Sequence, residues 1–230
     1  MSDARLEARE RLRFPGVRAP KPLLDPDVER RLTPRQRELI DALDELVMGG
    51  GLADLTMAQV AARMNCSLRT LYGVAQSKEE LFLAVVDRRL HRIGRRAIAT
   101  LDASLTPIDA LRAYLSAASD ALDTELMAVS REFADFPGTK RLLDSHERYV
   151  IGVVRSLLDR AVSEGQIAPC DTASIAHLFG TLGREFARPE VAAAAQASAK
   201  ATMAELAGII IRGLVATPRR GRTPTRGSRA

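Results

Sequence analysis

Apolar residues return at three- and four-residue intervals along most of the chain, and no stretch alternates with the period of a strand. Leu39, Ile40, Leu43, Leu46 and Val47 mark a first helix that begins near residue 33 and stops at Gly49-Gly50-Gly51. Val60, Ala61 and Met64 form the short apolar face of a second, and Leu71 is the core-facing residue of a third that runs through Leu68, Arg69, Thr70, Leu71 and Tyr72. A fourth, over 78–101, puts Leu81, Phe82, Val85, Val86, Leu90 and Ile93 on one face and Arg88, Arg89, Arg92, Arg95 and Arg96 around the rest, which reads as a solvated face. At ~1.5 Å per residue it is long enough to lead into a second domain. Later helices follow: one from Thr106-Pro107 with Leu111, Tyr114 and Leu115 inward; one over 122–136 stopping at Pro137-Gly138; and one over 139–164 ended by Gly165. The eighth, capped by Asp171, runs to Pro189, and the ninth covers 190–215, alanine-rich first and apolar later at Leu206, Ile209, Ile210, Ile211 and Leu214. The pattern predicts an all-α chain of about nine helices, without internal repeats.

The helix starts within 33–81 are written in capping chemistry. Thr33-Pro34-Arg35-Gln36 and Thr56-Met57-Ala58-Gln59 each pair a threonine cap with a glutamine at the third helical position, where each side chain can satisfy an orphan N–H. Ser67 caps the third helix, and Ser77-Lys78-Glu79-Glu80 opens the fourth. Only Asn65, Cys66 and Ser67 separate the second and third helices, a tight helix-turn-helix in which Asn65 takes the left-handed conformation that ends a helix. From residue 55 to 78 there is no carboxylate, while Arg63, Arg69 and Lys78 supply cations, so a duplex meets no negative charge there.

With 230 residues, 46% apolar and 27% charged, the chain can bury the core of one or two domains. It has no apolar run of about 18 residues, and Asp3, Glu7 and the arginines near the amino terminus leave no room for a signal core, so a soluble, cytoplasmic protein is expected. The net charge of +5 equals the five arginines of residues 217–230, so the body is neutral and the excess lies in a basic tail that is expected to be disordered. Residues 1–32, with Pro15, Pro20, Pro22 and Pro26, read as a flexible arm, either a solvated leader or a segment whose arginines reach DNA.

Catalytic motifs are missing. Cys66 and Cys170 stand alone, which indicates neither a disulfide framework nor a zinc site, and both read as structural, reduced thiols. The three histidines, His91, His146 and His177, lack His-x-x-x-His spacing, so no metal is expected. The triple glycine lacks the following Lys-Ser or Lys-Thr of a phosphate loop. No cofactor and no enzymatic activity are expected. A helical carrier or enzyme with an incidental helix-turn-helix, and a nonspecific architectural protein using basic ends, remain the alternatives.

Thr56 to Ala61, the Asn65-Cys66-Ser67 turn, Leu71-Tyr72 and Ser77-Lys78-Glu79-Glu80-Leu81 resemble the amino-terminal signature of the TetR family of one-component transcriptional regulators. Asn65-Cys66 replaces the family's usual Gly-Val, and Val74-Ala75 stands where a His-Phe pair is usual, which takes an aromatic out of the joint between head and body. The resemblance implies an arm over 1–32, a helix-turn-helix DNA-binding domain over 33–80, and a ligand-binding and dimerisation domain over 81–216. It also implies a homodimer formed through the eighth and ninth helices, a double-stranded DNA operator, a small-molecule effector and, most often, repression. Thr56, Ser67, Leu68, Arg69, Thr70, Tyr72, Gly73 and Lys78 are the implied DNA contacts, assisted by Arg30, Arg31 and Arg35. Tyr114, Met127, Arg131, Phe133, His146, Tyr149 and Val153 are the candidates for an effector pocket.

Overall fold

Each cap in 33–81 starts a helix where the side-chain chemistry demands one. The structure, a computed structural model, describes residues 14–23, 33–49, 51–52, 54–102, 104–121, 136–186, 188–194 and 196–216, and no strand occurs among them. The described residues form nine helices, α1 (Pro34–Met48), α2 (Met57–Arg63), α3 (Leu68–Tyr72), α4 (Lys78–Ala99), α5 (Pro107–Ala121), α6 (Pro137–Ser163), α7 (Thr172–Phe186), α8 (Pro189–Ala194) and α9 (Ala199–Ala216). The helix expected over 122–136 lies outside the described residues, apart from Phe136. None of the helices is long and apolar enough to cross a membrane.

Two apolar clusters divide the molecule. The first joins Leu39, Leu43, Leu46, Val47 and Met48 of α1 to Val60 and Ala61 of α2, Leu71 of α3, and Leu81, Phe82, Val85 and Val86 of α4. The second gathers Ala97 and Leu101, Leu111 and Tyr114 of α5, Val153, Leu157 and Leu158 of α6, Phe179 of α7 and Ile211 of α9. Helix α4 belongs to both, so the expected boundary between 80 and 81 falls in its first turn while the change of core comes further along it.

The joint between the two units is closed from α6. Leu142 enters the first cluster and Phe136 packs against it, supplying from elsewhere in the chain an aromatic that Val74-Ala75 lacks. Gly138 lies so close to α4 that a Cβ there would come within 2.5 Å of Leu83 Cδ1. Three arginines of α4 do not form the solvated face that their number suggests. Arg88 Nη1 bonds Asp41 at 2.7 Å, and Arg89 Nη1 and Arg92 Nη2 both bond Asp44, at 3.0 and 3.1 Å, clamping α1 onto α4.

Four further differences from the sequence reading are local. Helix α6 begins at Pro137, because proline is suited to the first helical position. The helix expected over 190–215 is broken into α8 and α9. The alanines before the break offer little surface to bury, and Ser198 Oγ accepts the Ala201 N–H at 3.2 Å as a new cap. Residues 14–23, expected as part of a free arm, lie along the second unit. Phe14 and Val17 pack on its core, and a Cβ at Gly152 would meet Val17 Cγ1 at 2.9 Å. Cys170 is exposed in the α6–α7 connection and does not fill a core, whereas Cys66 is half-buried in the head.

Candidate nucleic-acid interface

The turn between α2 and α3 is a Schellman closure. Asn65 has φ 50°, its N–H donates to Ala62 O at 3.1 Å, and the Cys66 N–H donates to Ala61 O at 2.9 Å. Asparagine is among the few residues that enter the left-handed region at low cost, which is how the chain turns here without glycine. Cys66 then packs against the head core, where burial pushes its thiol above the ordinary value and the nearby Arg35 pulls it back down. Arg35 Nη2 donates to Asn65 O at 3.4 Å and holds α1 against this turn. Both flanking hydroxyls are occupied as caps: Thr56 Oγ1 accepts the Gln59 N–H at 3.3 Å, and Ser67 Oγ accepts the Thr70 N–H at 3.0 Å. Both hydroxyls therefore hold the starts of the two helices in place.

Helix α3 is anchored on one side and bare on the other. Leu71 is 0% exposed in the head core, whereas Leu68 and Tyr72 are each 41% exposed and Arg69 and Gly73 are exposed with them. The Thr70 hydroxyl lies 2.8 Å from Ser67 Oγ, and Gln76 Nε2 donates to Tyr72 O at 2.6 Å, closing the end of the helix. Lys78 is half-buried at the first position of α4. Glu80 shares that end, and its carboxylate accepts the Gln76 N–H at 2.8 Å instead of completing a reciprocal box with Ser77. The face thus offers cations, a phenol and an aliphatic side chain on a short helix held from beneath by a buried leucine.

Residues 39–85 match the sequence pattern described as Bacterial regulatory proteins, tetR family. The match spans the head, from within α1 to the first turns of α4. Solved structures of similar fold cover more of it. A tetR-family regulatory protein from Rhodococcus RHA1 is 17% identical, with a TM-score of 0.60 over 81% of this chain and 100% of that one. A transcriptional regulator from Cytophaga hutchinsonii is 17% identical, with a TM-score of 0.64 over 79% and 99%. A fatty acid degradation regulator from Bacillus halodurans is 14% identical, with a TM-score of 0.64 over 80% and 98%. No curated protein matches the chain in sequence.

The second unit holds a partly open cavity of about 220 Å³ between α4, α5, α6, α7 and α9. Tyr114, His146 and Tyr149, three of the residues named as candidates for an effector pocket, line it. Burial raises both phenols above the usual tyrosine range, and Tyr149 adds to the effect on Tyr114. Val153 is instead fully buried in the surrounding core, and Met127, Arg131 and Phe133 lie outside the described residues. The cavity's polar edge includes two residues that the sequence did not single out, Glu147 and Arg184, which are paired; Arg184 also bonds Asp144 at 2.9 Å. They come from different helices, so no local signal marks them. Asp87 was not singled out and His91 was set aside for want of a second histidine four residues away, yet the two are four residues apart on α4 and both meet His146 of α6 beside the cavity.

Proposed function

We propose that the chain is a homodimeric transcriptional regulator that reads a near-palindromic operator through α3 and is released by a small molecule bound in the second unit. What carries the reading is the exposed Leu68-Arg69-Tyr72 face of a helix anchored by fully buried Leu71. Arg69 hydrogen-bonds a base edge, with guanine the geometric match for its guanidinium, and Leu68 offers methyl groups to a thymine methyl. Tyr72, Lys78 and the Thr70 hydroxyl hold phosphates, and Gly73 lets the backbone come close to the duplex. Two such heads enter successive major grooves about 34 Å apart.

The dimer reading is supported by α7 and α9, which leave Leu178, Ile209 and Val215 about half exposed, as two helices do when they await a copy of themselves. The effector reading is supported by α4, since Leu90, Ile93 and Gly94 line the cavity while Leu81 to Val86 of the same helix build the head core. A molecule that fits the cavity better with α4 displaced shifts the population away from the spacing that suits DNA. In the family manner the outcome is repression, lifted by the effector.

Operator binding by two substitutions tests this. Arg69→Ala should cost about 1–3 kcal/mol and relax preference at one base position, whereas Lys78→Ala should weaken all sequences alike and flatten the salt dependence. Equal, sequence-blind losses in both would remove Arg69 from base reading.

A further inference from the structure

Where α4 passes from one core to the other it carries a buried carboxylate. Asp87 is 2% exposed, with Leu83, Ala84 and Leu90 beside it along the helix face. A buried charge in such a place needs partners, and three converge on it. His146 Nε2 of α6 stands 3.2 Å from Asp87 Oδ1, His91 Nε2 stands 3.5 Å from the same oxygen, and the Leu23 N–H donates to Oδ2 at 2.7 Å.

We propose that Asp87, His91 and His146 form a binding site for a divalent first-row transition-metal cation. One donor atom from each residue lies within 4.8 Å of the others. A cation about 2.1 Å from each nitrogen and oxygen in tetrahedral geometry sets neighbouring donors about 3.4 Å apart, and the two Oδ1–Nε2 separations of 3.2 and 3.5 Å already match. The donor set, two imidazoles and one carboxylate, suits zinc, nickel or iron and not calcium or magnesium. The Leu23 amide occupies Oδ2, so the carboxylate is oriented with Oδ1 toward the imidazoles, the kind of outer hydrogen bond that fixes a metal ligand. Asp87 and His91 are one turn apart on α4, a spacing that presents both to the same point.

Three protein ligands leave the cation open on one side. The surroundings there are a surface concavity lined by Leu90, Gly94, Tyr149 and both imidazoles, so water or a donor atom of a small molecule completes the shell. His146 and Tyr149 also line the inner cavity. The cation ties α4 to α6 at the level where α4 leaves the head core, and it does so whether or not the head binds DNA.

The test is a titration of the untagged, full-length, chelator-stripped protein with Co²⁺, followed by its visible absorption and by zinc competition. The expected result is one Co²⁺ per chain with ligand-field bands displaced by one equivalent of Zn²⁺, and a rise in unfolding temperature on Zn²⁺ addition. His91→Gln and His146→Gln, each confirmed folded by circular dichroism, should each weaken uptake more than tenfold and lose the thermal shift. Lack of uptake by the native protein overturns the proposal, as does undiminished uptake by the His91→Gln/His146→Gln double variant. The titration contains no DNA, so its failure is distinct from failure of the operator reading, and Arg69→Ala should bind Co²⁺ like the native chain.

Discussion

Removing the Asp44 carboxylate should cost far more than removing Asp41, although both pair α1 with arginines of α4. The Asp44 side chain is 15% exposed and that of Arg89 16%, so their 3.0 Å contact is a largely desolvated, charge-assisted hydrogen bond. Such a bond is worth about 1.5–3 kcal/mol. Arg92, 37% exposed, adds a second bond to Asp44 at 3.1 Å that solvent screens to roughly 0.2–1 kcal/mol. Asp44→Ala should therefore destabilise by about 2–4 kcal/mol, which for a chain of this size lowers Tm by roughly 5–15 °C. Asp41 is 62% exposed beside Arg88, and Asp41→Ala should cost less than about 1 kcal/mol. Urea unfolding followed by circular dichroism at one fixed protein concentration measures both. A double-mutant cycle of Asp44→Ala with Arg89→Ala should give a coupling of about 1.5 kcal/mol or more. If the two single losses are equal, or if the cycle is additive, then α1 is not clamped through Asp44 and the arginines of α4 are a solvated face after all.

Three other outcomes follow from particular contacts. Asn65→Gly should leave Tm nearly unchanged, while Asn65→Val, which forces a β-branched residue to φ 50°, should cost about 1–2 kcal/mol by thermal denaturation; equal effects would mean that the turn is not held in the left-handed region. Gly138→Ala puts a methyl carbon 2.5 Å from Leu83 Cδ1 and should destabilise by about 1–3 kcal/mol, with Leu83→Ala in the same chain recovering much of the loss; absence of that recovery would place the strain elsewhere. Burial favours the neutral phenol of Tyr114 in the folded state, so its contribution to stability is complete below the ordinary tyrosine value near 10 and is lost as pH rises toward the higher folded value. Stability measured by urea unfolding across alkaline pH should sag in the native chain and sag less in Tyr114→Phe; identical profiles would show that the phenol is not buried.

The head was legible because its determinants are local. Thr33, Thr56, Ser67 and Ser77 each cap the helix they precede, Asn65 adopts the expected conformation and Leu71 is buried, all of it information contained within a few residues. What escaped depends on pairs distant in sequence. Arginines around a helix look alike whether they meet water or Asp44, and nothing near residue 23 announces that its amide will reach Asp87. Four prolines made residues 1–32 read as a flexible arm, but a segment kept out of helix fits a docked strap as well as a free arm, and Phe14 and Val17 dock it. The break after α8 was hidden because alanine favours helix so strongly that 190–215 reads as one continuous helix, whereas Ser198 caps a new one. In the second unit the sequence indicated which helices lean inward, and so found Tyr114, His146 and Tyr149, but it could not tell a cavity wall from solid core, which is why Val153 was grouped with them.

The claim on which the account rests is that α3 reads sequence. Selection of bound duplexes from a randomised DNA pool by the purified chain, against excess nonspecific competitor at moderate salt, tests it most directly. The account predicts enrichment of a near-palindromic site whose halves lie one helical turn, about 34 Å, apart, and loss of that enrichment in Arg69→Ala. A pool that stays random, or binding that competitor abolishes, contradicts it.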